Sequence, residues 1–176
     1  KGCHLNLSKL SQIGARFIHC DMRLRSDLES LPKADWVIDC AANPSVLAGL
    51  SNSSSSLQLM ENNLIGTLNL IEHCKRHNAG LILLSTSRVY SASELSRLSV
   101  IEESSRFSLD DSINYKGLSR GGITEDFSTA PPLSLYGASK ISSEQLALEY
   151  GLNFDFPVWI NRCGVMAGAG QFGKAD

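Results

Sequence analysis

The sequence lacks an excess of basic residues and lacks any long apolar run. Its 176 residues carry 16 Lys and Arg against 18 Asp and Glu, which gives a formal net charge of −2. Nothing in this balance favours nucleic acid as a partner. No run approaches the ~20 apolar residues that a membrane helix needs, so we expect no membrane partner. With 43% hydrophobic and 19% charged residues, the composition is typical of a folded globular chain.

Cysteine is present, but without the patterns that disulfide frameworks or zinc sites use. The five cysteines are odd in number and form no C-x-x-C. Cys20, Cys40 and Cys163 lie in apolar, strand-like runs, where a free thiol behaves as a small buried hydrophobe. We therefore expect reduced cysteines and a cytoplasmic protein.

One short stretch has the spacing of metal ligands. His73 and His77 stand four residues apart on a predicted helix, with Cys74 between them. The alternative is a solvated polar face beside Lys75 and Arg76. Because the sequence offers no third ligand, we predict that the protein has no metal site.

Hydrophobic periodicity predicts alternating helices and strands. The predicted helices cover residues 5–14, 26–31 (one turn, capped by Ser26 or Asp27), 57–77 and 135–151 (ending at Gly151). The predicted strands cover residues 15–20, 34–42, 80–86 and 156–166. Between the last two helices, the polar stretch at about 91–132 is expected to be a long loop excursion.

This order indicates an α/β fold with a doubly wound, Rossmann-like parallel sheet. We expect residues 1–176 to form the central part of a single domain, without its first βαβ unit and its C-terminal part. Ligands of such sheets bind beyond the carboxyl ends of the strands. Four strand ends therefore become candidates for a site, at residues 20–21, 40–43, 85–87 and 162–170.

The sequence Y-G-A-S-K places Tyr136 and Lys140 four residues apart at the start of a predicted helix. Residues at this spacing share a helix face, so the ammonium can stabilise a phenolate that accepts a proton from an alcohol. Hydroxyl groups at the end of the strand 80–86 can hydrogen-bond the same substrate oxygen. The structural alternatives are a solvated lysine and hydroxyl groups that only satisfy a turn.

The ordered segments HCDMR, VIDCAAN, ENNLIGTLNLIE, LLSTSRVY, SLYGASK and INRCGVMAGAG resemble the extended short-chain dehydrogenase/reductase family. Within that family they are similar to the NAD-dependent nucleotide-sugar epimerases and dehydratases. The stretch GITEDFSTAPPLSLYG and the C-terminal RCGVMAGAGQFGKAD most resemble the CDP-paratose 2-epimerase (CDP-tyvelose epimerase) type.

The resemblance implies a role for each matching residue. It implies catalysis by Thr86, Tyr136 and Lys140, with the last two also contacting the cofactor. The implied cofactor is NAD, with NADP left open, and the residues that would bind it are Asp21, Met22, Ala41, Ala42, Asn43, Asn62 and Ser85. Contacts to a nucleotide-sugar substrate are implied for Ser87, Arg88, Arg162 and Gly168. Family habit implies a homodimer for the full-length protein.

Two departures from the family pattern are informative. The dehydratases of this family carry an acidic pair directly after the active-site threonine, where this sequence has Ser87 and Arg88. We therefore expect epimerisation, or reduction of a ketone, rather than loss of water. The usual R-x-x-N appears as Arg162 followed by Cys-Gly-Val165, which leaves open how the substrate's phosphates are held.

The residue pattern of the segment GAGQFG at 168–173 matches the dinucleotide-binding fingerprint G-x-G-x-x-G. Such a loop must follow the first strand and open a helix, whereas this one follows the last predicted strand. We therefore expect it on the substrate side, and we expect the chain to be an internal part of a longer protein.

Two other functions stay open at this point. A nucleotide-sugar or carbonyl reductase of the same family would consume NAD(P)H stoichiometrically. A non-catalytic NAD-binding or scaffold protein would keep the fold, although it would have no need of a tuned phenol.

If the family's glycine-rich loop lies before Lys1, the chain of residues 1–176 should bind NAD weakly or not at all. Calorimetric titration of this chain with NAD tests the expectation. Micromolar affinity would contradict the idea that the sequence is partial.

Overall fold

A computed structural model describes residues 4–50, 55–110, 115–119 and 121–168. Its α-helices are α1 (His4–Gln12), α2 (Arg25–Glu29), α3 (Ser56–Met60), α4 (Gly66–His77), α5 (Ala92–Leu95) and α6 (Leu135–Phe154). Its strands are β1 (Trp36–Asp39), β2 (Gly80–Thr86), β3 (Val100–Glu102), β4 (Phe107–Leu109), β5 (Leu118–Ser119), β6 (Gly122–Ile123) and β7 (Val158–Cys163).

The main sheet has three parallel strands in the order β1-β2-β7. Leu83 pairs with Asp39 on one side and with Ile160 on the other, and Thr86 pairs with Cys163. The helical segments between these strands are long enough for crossovers between parallel neighbours. The predicted strand 80–86 is thus confirmed with the same bounds, and the strands predicted at 34–42 and 156–166 are confirmed with tighter bounds.

Helices α4 and α6 pack on the same face of this sheet. The core that they form with it consists of Ile71, Cys74, Ala79, Leu81, Leu83, Ala147 and Phe156. Strand residues alternate between faces, so Trp36, Ile38 and Trp159 point the other way and are 52%, 59% and 65% exposed. In the part of the chain that the structure describes, helices therefore cover one face of the sheet.

The strand predicted at 15–20 is wrong. This stretch is extended but belongs to no sheet, and Phe17 and Ile18 are both exposed. A β-strand exists only through hydrogen bonds to a neighbouring strand, and none of the described strands lies beside these residues.

The helix predicted over 57–77 is confirmed as a continuous helical stretch, interrupted by one π-helical turn at Glu61–Ile65. Single π-helical turns insert an extra residue into a helix and often mark functional sites. Ser55 caps the start by accepting a hydrogen bond from the Gln58 amide, and Asn78 ends the helix in the left-handed conformation.

The other helix predictions are confirmed in place but not in every detail. Helix α2 begins after Leu24 without a side-chain cap, so Ser26 and Asp27 are not its cap as predicted. Helix α6 continues three residues past Gly151, and Asp155 ends it with a positive φ of 54°. The excursion at 91–132 is more regular than a loop, because α5 and the antiparallel pairs β3–β4 and β5–β6 lie within it.

Among the described residues, no helix combines the length and apolar character that crossing a bilayer requires. Nor do these residues bring three or more His, Cys, Asp or Glu side chains together in a metal-binding group. His73 is buried, and its Nδ1 lies 3.3 Å from the backbone oxygen of Leu28.

The free cysteines differ enough in environment to predict their reactivity. Cys74 is fully buried, and burial raises the pKa of its thiol to about 12, whereas Cys40 is exposed. Because the thiolate is the nucleophile, iodoacetamide at mildly alkaline pH should alkylate Cys40 and leave Cys74 unmodified. Peptide mass spectrometry reads both sites, with the protein unfolded in guanidinium chloride as the control in which Cys74 reacts. Equal native rates at the two sites would contradict the packing of α4.

Candidate active site

Parallel pairing brings the carboxyl ends of β1, β2 and β7 to one edge of the sheet. The residues that follow these strands form the walls of two adjoining clefts. Both clefts include Ala42, which follows β1. The small side chains there leave the backbone open to close approach by a ligand.

The first cleft has a volume of about 410 Å³. It collects all the predicted cofactor residues that precede β2. Its lining is His19, Cys20, Asp21, Met22, Arg23, Ala41, Ala42, Asn43 and Asn62.

Asp21 lines this cleft, and hydrogen bonds within the protein hold its carboxylate. Arg23 donates hydrogen bonds to it from Nε and NH2, the latter at 2.6 Å, and these bonds lower the pKa of Asp21 to about 2. Asn69 of α4 donates to the Met22 carbonyl at 2.8 Å. The turn that carries both predicted cofactor residues is thereby tied to the helix.

The second cleft has a volume of about 590 Å³ and joins β1, β2, β7 and the start of α6. It is lined by Cys40, Ala42, Pro44, Ser45, Val46, Leu84, Ser85, Thr86, Arg88, Tyr136, Cys163, Gly164, Val165 and Met166. Thr86 and Tyr136, which are far apart in sequence, thus share one cleft as their predicted roles require.

Thr86 forms part of the turn that follows β2. Its Oγ1 accepts a hydrogen bond of 3.2 Å from the Arg88 amide, which uses one lone pair and leaves the hydroxyl hydrogen able to donate elsewhere. Gly137 lies against this turn, because a Cβ added there would come within 2.4 Å of the Arg88 carbonyl oxygen. A larger residue at 137 would push the start of α6, and Tyr136 with it, away from Thr86.

Lys140 is 2% exposed and lies one helical turn beyond Tyr136. Burial lowers the pKa of Lys140, while the carboxylates of Asp39 and Glu144 oppose that shift by favouring the charged form. The lysine is therefore not the solvated residue of the structural alternative considered above. It is a buried amine that lies near two buried acids.

Asn63 is a positioning residue that the sequence did not predict, since only its neighbour Asn62 matched the family pattern. It is 1% exposed and binds the backbone of Asn43 twice, accepting from the amide at 2.8 Å and donating to the carbonyl at 3.2 Å. It also donates to Ser139 Oγ at 3.2 Å, and Ser139 in turn donates to the Tyr136 carbonyl at 2.8 Å. One amide thus joins the cofactor cleft to the helix of Tyr136.

The predicted substrate residues do not all meet in one place. Ser87 and Arg162 line a third cleft of about 760 Å³, together with Tyr90 and Glu125, whereas Arg88 lines the cleft of Tyr136. Gly168 is exposed, and an added Cβ there would meet no atom within 4 Å. The rest of the glycine-rich segment, residues 169–173, lies outside the described residues.

Arg162 is held mainly by the protein itself. Its Nε and NH2 donate to the buried carboxylate of Glu144 at 3.1 and 2.8 Å, and NH1 donates to the Glu125 carbonyl at 3.1 Å. Its guanidinium carbon lies 5.2 Å from the centre of the Tyr90 ring. A contact between Arg162 and a substrate stays a prediction.

The NAD dependent epimerase/dehydratase family model matches residues 2–176. The chain belongs to this family. The relationship confirms the family inferred from the six ordered segments.

Two curated relatives give this family membership more detail. The CDP-paratose 2-epimerase of Salmonella typhi is 29% identical over 183 residues, which cover 100% of this chain and 50% of that protein. The dTDP-D-glucose 4,6-dehydratase of Dictyostelium discoideum is 31% identical over 154 residues, which cover 86% of this chain and 31% of that protein. The chain thus spans half the length of one relative and about a third of the other.

Solved structures of family members share the fold. A UDP-glucuronic acid 4-epimerase mutant from Bacillus cereus, in complex with UDP-4-deoxy-4-fluoro-glucuronic acid and NAD, is 29% identical with a TM-score of 0.63, covering 89% of this chain and 41% of that chain. The UDP-Glc/GlcNAc 4-epimerase of Campylobacter jejuni, at 21% identity, has a TM-score of 0.68 and covers 99% of this chain and 48% of that chain. These similarities confirm the predicted Rossmann-like α/β fold.

The bridging role of Asn63 predicts that the two neighbouring asparagines respond differently to substitution. Asn63→Ala removes an acceptor and a donor from buried partners, which should lower the free energy of unfolding by about 1–3 kcal/mol. Asn62→Ala is the matched control and should change stability little, because Asn62 faces the cofactor cleft. Urea denaturation followed by circular dichroism measures both variants. Equal losses would show that Asn63 does not bridge the cleft to α6.

Proposed function

We propose that the whole protein is an NAD-dependent nucleotide-sugar epimerase in which this chain supplies the catalytic residues. The observation that carries the proposal is the junction of two clefts at Ala42. One cleft holds the predicted cofactor residues that precede β2, and the other holds Ser85, Thr86 and Tyr136. An elongated dinucleotide beside its reaction partner needs this continuity.

The residues of the first cleft fit NAD in their chemistry. Asp21 and Met22 offer a carboxylate and an apolar surface, and the alanines after β1 leave room for the middle of the molecule. Ser85 and Lys140 would meet its reactive end. When bound there, NAD supplies a reversible acceptor of hydride.

Tyr136 acts as the base in this proposal. Its phenolate takes the proton from a sugar hydroxyl as that carbon gives up hydride and becomes a ketone, and the resulting phenol returns the proton when the ketone is reduced on its opposite face. Lys140 favours the phenolate by its charge. Thr86 retains a hydroxyl hydrogen with which to stabilise the developing oxyanion.

The residues after Thr86 favour epimerisation over dehydration. Removal of water needs an acid and a base near the departing hydroxyl, and the sequence has Ser87 and Arg88 at these positions. Arg88, whose amide is fixed by Thr86, brings a cation to the cleft instead.

The resemblance to the nucleotide-sugar epimerases supports our further proposal that the whole protein is a cytoplasmic homodimer. It also supports a nucleotide sugar as the substrate.

The proposed base is tested by replacing Tyr136 with phenylalanine in the whole protein. Tyr136→Phe should lower turnover of a CDP-linked sugar by roughly 100- to 10,000-fold, the usual contribution of a general base, without loss of bound cofactor. Epimerisation is followed by chromatography of the released sugar, and absorbance of the reduced cofactor shows whether NADH accumulates.

Tyr150→Phe is the matched control on the same helix, because Tyr150 packs against Phe154 and Lys75 away from the clefts. It should turn over normally. If Tyr136→Phe were as active as this control, Tyr136 would not be the base. Stoichiometric consumption of reduced cofactor would identify a reductase instead.

A further inference from the structure

The proposed mechanism leaves a buried ion pair unexplained. Glu144 of α6 is 2% exposed. Arg162 of β7 donates hydrogen bonds to its Oε2 from Nε at 3.1 Å and from NH2 at 2.8 Å. The other carboxylate oxygen of Glu144 accepts a hydrogen bond from Ser85 Oγ. Both oxygens are therefore satisfied beside the catalytic strand end.

This pair continues the line of functional groups along α6. Tyr136, Lys140 and Glu144 are spaced by four residues, so they occupy one face of the helix on successive turns. All three are buried. A phenol, an amine and a carboxyl group thus follow one another toward the guanidinium of Arg162.

The remaining charged and titratable groups around Lys140 come from the neighbouring strands. Asp39 of β1 is buried and accepts hydrogen bonds from Thr67 Oγ1 at 2.7 Å and from the Ala41 amide at 3.0 Å. The thiols of Cys40 and Cys163 also act on the lysine. Arg88 lines the same cleft as Tyr136. Of the two acids that act on Lys140, Glu144 is the one paired with an arginine.

We propose that Arg162 neutralises Glu144, so that this carboxylate does not oppose the effect of the positive charge of Lys140 on Tyr136. Glu144 and Arg162 are then positioning residues that act through Lys140, rather than a structural link alone. The inference rests on the proposed function, in which Tyr136 is the base.

The two members of the pair should have opposite effects on Tyr136. Without the charge of Arg162, the carboxylate of Glu144 would disfavour the phenolate two helical turns away. Without the charge of Glu144, the guanidinium would favour the phenolate. A purely structural role would destabilise both variants and would give no reason for opposite effects.

The size of the effect follows from Coulomb's law. Eight residues of helix span about 12 Å, and at an effective dielectric constant of about 20 one charge at this distance changes a titration by about one pH unit. The titration midpoints of Tyr136 in a variant without the charge of Glu144 and in one without the charge of Arg162 should therefore differ by on the order of one to two pH units.

The test is a spectroscopic titration of Tyr136 in the whole protein. The ultraviolet absorbance of tyrosinate is followed against pH in the parent, Glu144→Gln and Arg162→Met. For each protein, the curve of the same variant combined with Tyr136→Phe is subtracted. This subtraction removes the absorbance of Tyr90 and the other tyrosines. The midpoint should be lowest in Glu144→Gln, intermediate in the parent and highest in Arg162→Met.

Two further variants separate charge from folding. Arg162→Lys keeps the cation, so its midpoint should stay near that of the parent even where its melting temperature falls. Glu149→Gln removes an exposed carboxylate of the same helix and should leave the midpoint unchanged. If Glu144→Gln does not fold, the inference is tested by the midpoints of the other proteins, which should be higher in Arg162→Met than in Arg162→Lys and the parent.

Midpoints that coincide across the pair, or that appear in the reverse order, would overturn the inference. The measurement does not use turnover, so it is independent of the proposed function. An active Tyr136→Phe variant would refute Tyr136 as the base and leave the order of midpoints as it stands.

Discussion

The pairing of β2 with a parallel strand on each side is the interaction on which the site depends. Its hydrogen bonds to β1 and β7 bring the three carboxyl ends to the same edge of the sheet, because parallel neighbours run in the same direction. Residues after β1 can then line one cleft with residues after β2 and β7. A shift of register along β2 would move Thr86 relative to Tyr136, so the backbone ladder fixes the geometry before any functional side chain contributes.

Directional polar contacts then fix α6 along the sheet. Apolar packing of Ala147 holds the helix against the core, but such contacts are non-directional and tolerate sliding. Gly137 meets the Arg88 carbonyl, Ser139 is bound by Asn63, and Glu144 is bound by Arg162. Three contacts to three different segments leave one position for the helix, and therefore one position for Tyr136.

The sequence predicts the parts of this arrangement that local patterns control. The apolar run of β2 and the Tyr136–Lys140 spacing are such patterns, and the structure has both where they were predicted. The strand predicted at 15–20 failed because pairing with a neighbour, rather than composition, makes a strand. Asn63, which bridges Asn43 and Ser139, lies in the π-helical turn, and this turn leaves no mark in the hydrophobic period. The pairing of Glu144 with Arg162 joins two elements, so no local spacing announces it.

Burial of charge explains why these unpredicted contacts matter. An ionised group in the interior is costly unless it is paired and hydrogen-bonded, yet the site buries Asp39, Lys140 and Glu144 together. Arg162 brings a second cation to this group, which then holds two acids and two bases. In the proposed mechanism the charge of Lys140 acts on Tyr136, and a low dielectric strengthens this interaction. The same low dielectric strengthens the effect of every nearby carboxylate on Tyr136. The arginine is the partner that lets the site keep both the buried lysine and the buried acid.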